Sequence, residues 1–163
     1  MQDAVVGADI DVERGEIIEA VYREHGPRLW RALRLATGNP DVASEAVAEA
    51  FAQLIGRGEA VRDPEAWVWR AGFRLAMGEM RRASKALPLP DELPRDAPEP
   101  LVDLERALRV LTAHQRTAVV LANYAGWSHR EIAEVLDSTS AAVAVHVHRA
   151  RRRLRTLLEE HDA

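Results

Sequence analysis

The 163-residue chain contains no cysteine, which excludes disulfide bonds, thiolate metal ligands and a cysteine nucleophile. No apolar run approaches the roughly 18–20 residues that a helix needs to span a bilayer. The first 16 residues are acidic and poor in apolar side chains, unlike a secretory signal peptide. These absences predict a cytoplasmic protein without membrane insertion.

The sequence also lacks the common signatures of catalysis. It has neither a glycine-rich phosphate loop nor a nucleophile elbow. His146 and His148 are two positions apart on a predicted helix, so their rings point in different directions and cannot easily share a metal. We therefore predict that the protein is not an enzyme and has no cofactor, no metal and no small-molecule substrate.

The net charge of −4 is unevenly distributed. Residues 103–155 contain nine Arg and five acidic residues, and five of those Arg fall between Arg149 and Arg155. Four acidic residues lie instead between Asp91 and Glu99. Such asymmetry suggests one surface made for an anionic partner, although a solvated helix end can also carry several Arg.

The apolar residues recur with a helical period nearly throughout, which predicts an all-α fold. A first helix is expected over residues 14–37, kinked or broken at Gly26-Pro27, with Ile17 on its buried side. Asn39-Pro40 and Asp63-Pro64 each pair a capping residue with a proline, and they predict helices over residues 40–55 and 64–82.

Residues 87–100 hold five of the eight prolines and cannot remain helical. This segment predicts an acidic Pro-rich linker over residues 86–100, between helical domains at residues 12–85 and 101–160. A long loop within one domain is the alternative.

Two capping boxes organise the second domain. Thr112 with Gln115, and Ser128 with Glu131, each pair a hydroxyl with a side chain three residues later. A short helix from Ser128 to Leu136, a tight turn, and a long helix over residues 140–159 make a helix-turn-helix. On the last helix, Val143 and Val147 would face the core, on the same side as Ala150 and Leu154, and Ser140 would cap the helix start.

The sequence resembles the bacterial RNA polymerase sigma factors of the extracytoplasmic-function group over residues 15–158. The match to sigma region 4 comprises Leu108, Leu111-Thr-Ala-His-Gln-Arg116, Gly126-Trp-Ser128, Glu131-Ile-Ala133, Leu136, Val143 and Arg149-Ala-Arg151. The match to region 2 comprises Asp41, Ala43, Glu45, Val47, Glu49, Phe51, Trp67, Arg70, Leu75, Arg81 and Arg82.

The resemblance implies a partner of core RNA polymerase that directs it to specific promoters. Region 2 would bind the polymerase and open the minus-10 element of promoter DNA, and region 4 would recognise the minus-35 element. Many relatives are held inactive by an anti-sigma factor, which is a further possible partner.

The candidate site residues form three groups. The region 4 DNA-binding set is Ser128, His129, Arg130, Ser140, Ala141, Ala144, Val145, His148, Arg149 and Arg152. The region 2 DNA-binding set is Trp67, Arg70, Arg74, Arg81 and Arg82, a basic stripe beside an aromatic ring that can guide and stack a single strand. The polymerase-binding set is Glu45, Ala48 and Glu49.

The recognition helix departs from the family pattern. Ala142, Ala144 and Val145 stand where relatives usually have Thr, Lys and a small polar residue. Such an apolar face can contact thymine methyl groups. It can also bind protein, in which case the chain would be a degenerate sigma-like regulator that does not recognise specific promoter bases. A third hypothesis is a protein-interaction module. It would be favoured if the two domains formed one bundle and the arginine stripe of the region 2 DNA-binding set were buried in ion pairs.

Overall fold

The computed structural model describes the backbone of residues 2–83 and 99–162 and the side chains of residues 12–83 and 103–160. Over these ranges the chain forms α-helices and one short 3-10 turn, and no strand. The predicted all-α class with a C-terminal helix-turn-helix is confirmed. The predicted linker falls mostly outside the described residues, and its last two positions, Glu99 and Pro100, open a helix instead.

The N-terminal group contains helices α1 (Gln2–Thr37), α2 (Pro40–Arg57) and α3 (Pro64–Ala83), with the 3-10 turn Gly58–Ala60 after α2. The Asn39 side chain accepts hydrogen bonds from the first amides of α2, and Asp63 Oδ1 accepts one from Ala66 N at 3.0 Å. Both predicted starts are confirmed, because each cap satisfies amides that a helix leaves without partners.

A kink or a break was predicted at Gly26-Pro27; helix α1 continues across Pro27, so the break is wrong. Proline removes one amide donor, but the next turn is held by Leu29 and Leu33, both fully buried. The assignment of Ile17 to the buried side is also wrong: its side chain is 45% exposed, and Ile18 faces the core instead.

The C-terminal group contains α4 (Glu99–Leu108), α5 (Ala113–Asn123), α6 (His129–Val135) and α7 (Ser140–Asp162). Both predicted capping boxes are present, at Thr112 and at Ser128. Gly126 has a φ of 71°, a backbone conformation in which a Cβ is unfavourable, and it follows the end of α5. Local capping chemistry therefore sets the helix boundaries here.

The two groups pack against each other and share one hydrophobic core. Helix α1 packs on α5, and α3 contacts α6. The rings of Phe73 and Trp127 lie 6.2 Å apart between centroids, and Thr117 Oγ1 lies 3.5 Å from Met77 Sδ. This packing holds the helix-turn-helix directly beside α3.

Candidate nucleic-acid interface

Helix α7 separates a buried face from an exposed one. Val143, Val147 and Ala150 are at most 2% exposed, as predicted, and pack on α5 and α6. The residues of the region 4 DNA-binding set on this helix lie on its outer sides: Ala144 is half-buried, and Ser140, Ala141, Val145, His148, Arg149 and Arg152 are exposed. The structure thus presents a face of small and basic side chains to solvent, which suits entry into a DNA groove.

The cap of α7 is Thr139, not Ser140 as predicted. Thr139 Oγ1 accepts a hydrogen bond from Ala142 N at 3.1 Å, and Ser140 is the first helical residue. An N-cap side chain reaches the amide two or three positions later. Asp137, two residues before Thr139, adopts a φ of 50° and turns the chain between α6 and α7.

The start of α6 is already occupied by a carboxylate. Glu131 Oε2 accepts hydrogen bonds from Ser128 N at 2.8 Å and Ser128 Oγ at 2.9 Å. These two bonds, from the amide first and then the hydroxyl, lower the pKa of Glu131; burial opposes the shift and Arg70 adds to it. A phosphate contact at this end would therefore depend on the exposed side chains of His129 and Arg130.

Four members of the region 2 DNA-binding set line a groove along α3, and Arg81 lies outside it. The groove has a volume of about 560 Å³ and is lined by Gln53, Arg57, Trp67, Arg70, Ala71, Arg74, Leu75, Gly78, Arg82 and Glu134. The Trp67 ring is half-buried, and the Arg57 guanidinium lies 5.5 Å from its centroid. Arg74, Arg81 and Arg82 are exposed. The two groups do share one core, but the Arg stripe is not buried in ion pairs, which was the other condition that would favour a protein-interaction module.

Trp69 has a structural role. It is 5% exposed and stacks on Phe73 with ring centroids 6.2 Å apart.

Arg81, at the other end of the stripe, places Nη1 3.8 Å from Asp137 Oδ2 in the turn after α6.

The polymerase-binding set lies on the outer face of α2, where Glu45, Ala48 and Glu49 are all exposed. They border a groove of about 490 Å³ between α2 and α3. Glu49 Oε1 accepts a hydrogen bond from Gln53 Nε2 at 2.7 Å. The three residues form one surface, acidic at its rim and apolar at its floor.

The polar contacts that join the two groups were not predicted from the sequence. Arg34 and Glu105 form a buried ion pair in which Nε and Nη2 both donate, Nη2 to Glu105 Oε2 at 3.3 Å. Arg116 Nε donates to the carbonyl oxygen of Ala36 at 2.8 Å, and burial and then the charge of Arg109 lower the pKa of Arg116. One signal was present: Arg34 sits among apolar residues on the buried face of α1.

A histidine pair links α5 and α7. The rings of His114 and His146 stack with centroids 5.6 Å apart, and His146 Nδ1 is buried without a hydrogen-bond partner. Burial lowers the pKa of His146, and the charges of His114 and Arg149 lower it further. Within the described residues no group of three or more His, Cys, Asp or Glu is arranged to hold a metal.

We expect this pair to make stability depend on pH. Because the folded pKa of His146 is depressed, the unfolded chain binds more protons as the pH falls below about 6.5, and the free energy of unfolding decreases. His146→Gln should reduce the loss of stability between pH 7.5 and 5.5 in urea unfolding. His129→Gln, at an exposed position, is the matched control; equal pH slopes in wild type and His146→Gln would contradict the expectation.

The exposed helix-turn-helix beside an arginine groove defines a helical DNA-binding transcription factor. The family model for region 4 of the sigma-70 factors matches residues 101–154. RNA polymerase sigma-E factor of Streptomyces coelicolor is 32% identical over 161 residues, covering 91% of this chain and 90% of that protein. SigL, an ECF RNA polymerase sigma factor of Mycobacterium tuberculosis, is 29% identical over 159 residues, covering 88% and 90%.

A solved structure shares the fold. The sigma factor RpoE of Bartonella quintana, crystallised with the anti-sigma factor NepR, superposes with a TM-score of 0.63 at 22% identity, covering 84% of this chain and 95% of that one. The chain belongs to the extracytoplasmic-function sigma factors, which direct RNA polymerase to promoters. In the part of the chain that the structure describes, no helix is long and apolar enough to cross a membrane.

Proposed function

We propose that this sigma factor divides promoter recognition between α7, which reads the minus-35 element, and the arginine groove of α3, which opens the minus-10 element. The observation that carries the proposal is the presence of both surfaces on one chain, each exposed and each basic. We further propose the division into a region 2 domain at residues 12–85 and a region 4 domain at 101–160, joined by the predicted linker, whose last two residues begin α4.

The minus-35 role follows from the outer face of α7. Arg149 and Arg152 can neutralise phosphates, while Ala141 and Val145 offer methyl groups at the helix start, where a recognition helix meets base edges. Val145 is 46% exposed. Such a surface favours thymine methyl contacts over hydrogen-bond reading.

The minus-10 role follows from the groove of α3. Its arginines follow one side of the helix, and Trp67 provides a half-buried ring at its edge. Basic side chains that track a backbone beside an aromatic platform are how proteins hold single strands. The groove would therefore bind the strand that separates when the promoter opens.

The surface of Glu45, Ala48 and Glu49 is proposed to bind core polymerase. The rim carboxylates suit basic residues on the partner, and the exposed Ala48 permits close approach. We also propose that an anti-sigma factor regulates the chain, by analogy with the Bartonella complex. The protein would act in the cytoplasm, as a regulatory subunit with no catalytic activity of its own.

The test is run-off transcription with purified core RNA polymerase on fragmented genomic DNA of the host. Discrete transcripts that require the protein would support the proposal and would reveal the promoter motif. Co-elution with polymerase but no transcripts would favour a degenerate regulator instead. Absence of both would remove polymerase as the partner.

Arg149→Ala with Arg152→Ala should weaken binding to duplex promoter DNA and flatten its salt dependence. Two lost phosphate contacts would lower the slope of log K against log salt by about two. The slope is measured by fluorescence anisotropy at several salt concentrations. Arg153→Ala with Arg155→Ala removes the same charge farther along α7; an unchanged slope in the first variant would remove Arg149 and Arg152 from the DNA-facing surface.

A further inference from the structure

The short helix α6 carries an acidic edge that lies beside the arginine groove. Glu131, Glu134 and Asp137 follow each other at three-residue intervals along α6 and its C-terminal turn. Each is placed near a member of the region 2 DNA-binding set. We name these three residues the acidic edge.

The three acidic residues lie beside the arginines of α3 in the same order along both helices. Glu131 and Arg70 line one cleft between the two groups. Glu134 lines the arginine groove itself, together with Arg70 and Arg74. At the far end, Asp137 Oδ2 lies 3.8 Å from Arg81 Nη1. The acidic edge therefore follows the basic stripe over its whole length.

The ion pair between Arg81 and Asp137 is exposed and can be displaced. The side chains of Arg81 and Asp137 are 64% and 86% exposed, so their attraction is weakened by water and salt. The carboxylates of the acidic edge place negative charge where the phosphates of a bound strand would place negative charge. A strand and the acidic edge would therefore compete for the same arginines.

We infer that α6 is an internal competitor: in the free protein its acidic edge lies along the arginine groove and lowers the affinity of that groove for single-stranded DNA. The inference rests on the proposed minus-10 role of the groove. Release requires the C-terminal group to move away from α3. In contrast, the outer face of α7 is exposed in the same state, so duplex binding is not masked.

The test is the affinity of the full chain for a fluorescein-labelled single strand of about 15 nucleotides, a length that suits one binding groove. Glu134→Gln with Asp137→Asn should bind it about fivefold more tightly than wild type at low salt, since exposed ion pairs are individually weak. The gain should disappear near ~1 M salt. Glu131 is left unchanged because it caps α6.

Two further variants separate the inference from the proposed function. Glu159→Gln with Glu160→Gln changes net charge equally at exposed positions of α7 and should gain nothing. Arg70→Ala with Arg74→Ala tests the groove. If Arg70→Ala with Arg74→Ala weakens single-strand binding but Glu134→Gln with Asp137→Asn binds like wild type, the inference about α6 is overturned and the proposed role of the groove is supported. If the arginine pair changes nothing, or no variant binds, both ideas fail.

A thiol crosslink provides a second measurement, because the chain has no cysteine of its own. Arg81→Cys with Asp137→Cys, treated with a short bismaleimide, should crosslink in the free protein. The crosslinked chain should lose the single-strand binding that the same variant retains without the crosslinker, but it should keep duplex binding through α7. Single-strand binding that survives the crosslink would overturn the inference.

Discussion

Replacing Arg70 and Arg74 together with alanine should reduce run-off transcription by at least about tenfold, because a hydrogen bond to a charged group contributes roughly 1.5–3 kcal/mol and about 1.4 kcal/mol corresponds to a tenfold change in rate. Both residues line the groove along α3 that holds Trp67. The loss should appear in promoter opening, measured by permanganate reactivity of unpaired thymines, and not in binding to core polymerase.

The matched control is Arg23→Ala with Arg31→Ala, which removes two exposed arginines from α1. This control should transcribe at close to the wild-type level. Transcription that is unaffected by loss of Arg70 and Arg74, with intact folding by circular dichroism, would show that the groove does not contact the promoter.

The second large effect concerns stability. Glu105→Ala should lower the free energy of unfolding by about 3–5 kcal/mol, because it leaves the Arg34 guanidinium buried without its counter-charge. The two side chains are 4% and 2% exposed, and no solvent can replace the lost carboxylate easily. Urea unfolding followed by circular dichroism measures the change.

Arg106→Ala is the control for this variant, because Arg106 pairs with Asp103 at the surface and both side chains are 67% exposed. It should change stability by less than about 1 kcal/mol. Arg34→Met with Glu105→Leu should recover most of the stability lost in Glu105→Ala, since a well-packed apolar pair avoids the desolvation of two charges. A Glu105→Ala protein as stable as the control would show that the pair is not buried in solution.

The helix starts could be predicted because their chemistry is local. Asn39, Asp63, Thr112 and Ser128 each bond amides within three residues, so the sequence alone contains the interaction. For α7 the sequence predicts the first helical residue, Ser140, but not the cap, because Thr139 and Ser140 are adjacent and chemically alike. Local chemistry thus predicts that a helix begins here, but it does not decide which of two adjacent hydroxyl residues caps it.

The contacts between the groups could not be predicted in the same way. Arg34 and Glu105 are 71 positions apart, and nothing in the sequence around either residue indicates its partner. The candidate site shows the same contrast. The stripe of arginines on α3 follows from helical spacing, whereas its approach to Asp137 depends on how the two groups pack.

The shared hydrophobic core has a consequence for association with polymerase. If polymerase binds only the chain whose groups have separated, its apparent affinity equals the intrinsic affinity multiplied by the fraction of open molecules. A closed form favoured by about 100 to one would weaken the apparent affinity by about 100-fold. Substitutions between α1 and α5, far from any DNA or polymerase contact, would then set the protein concentration at which transcription begins.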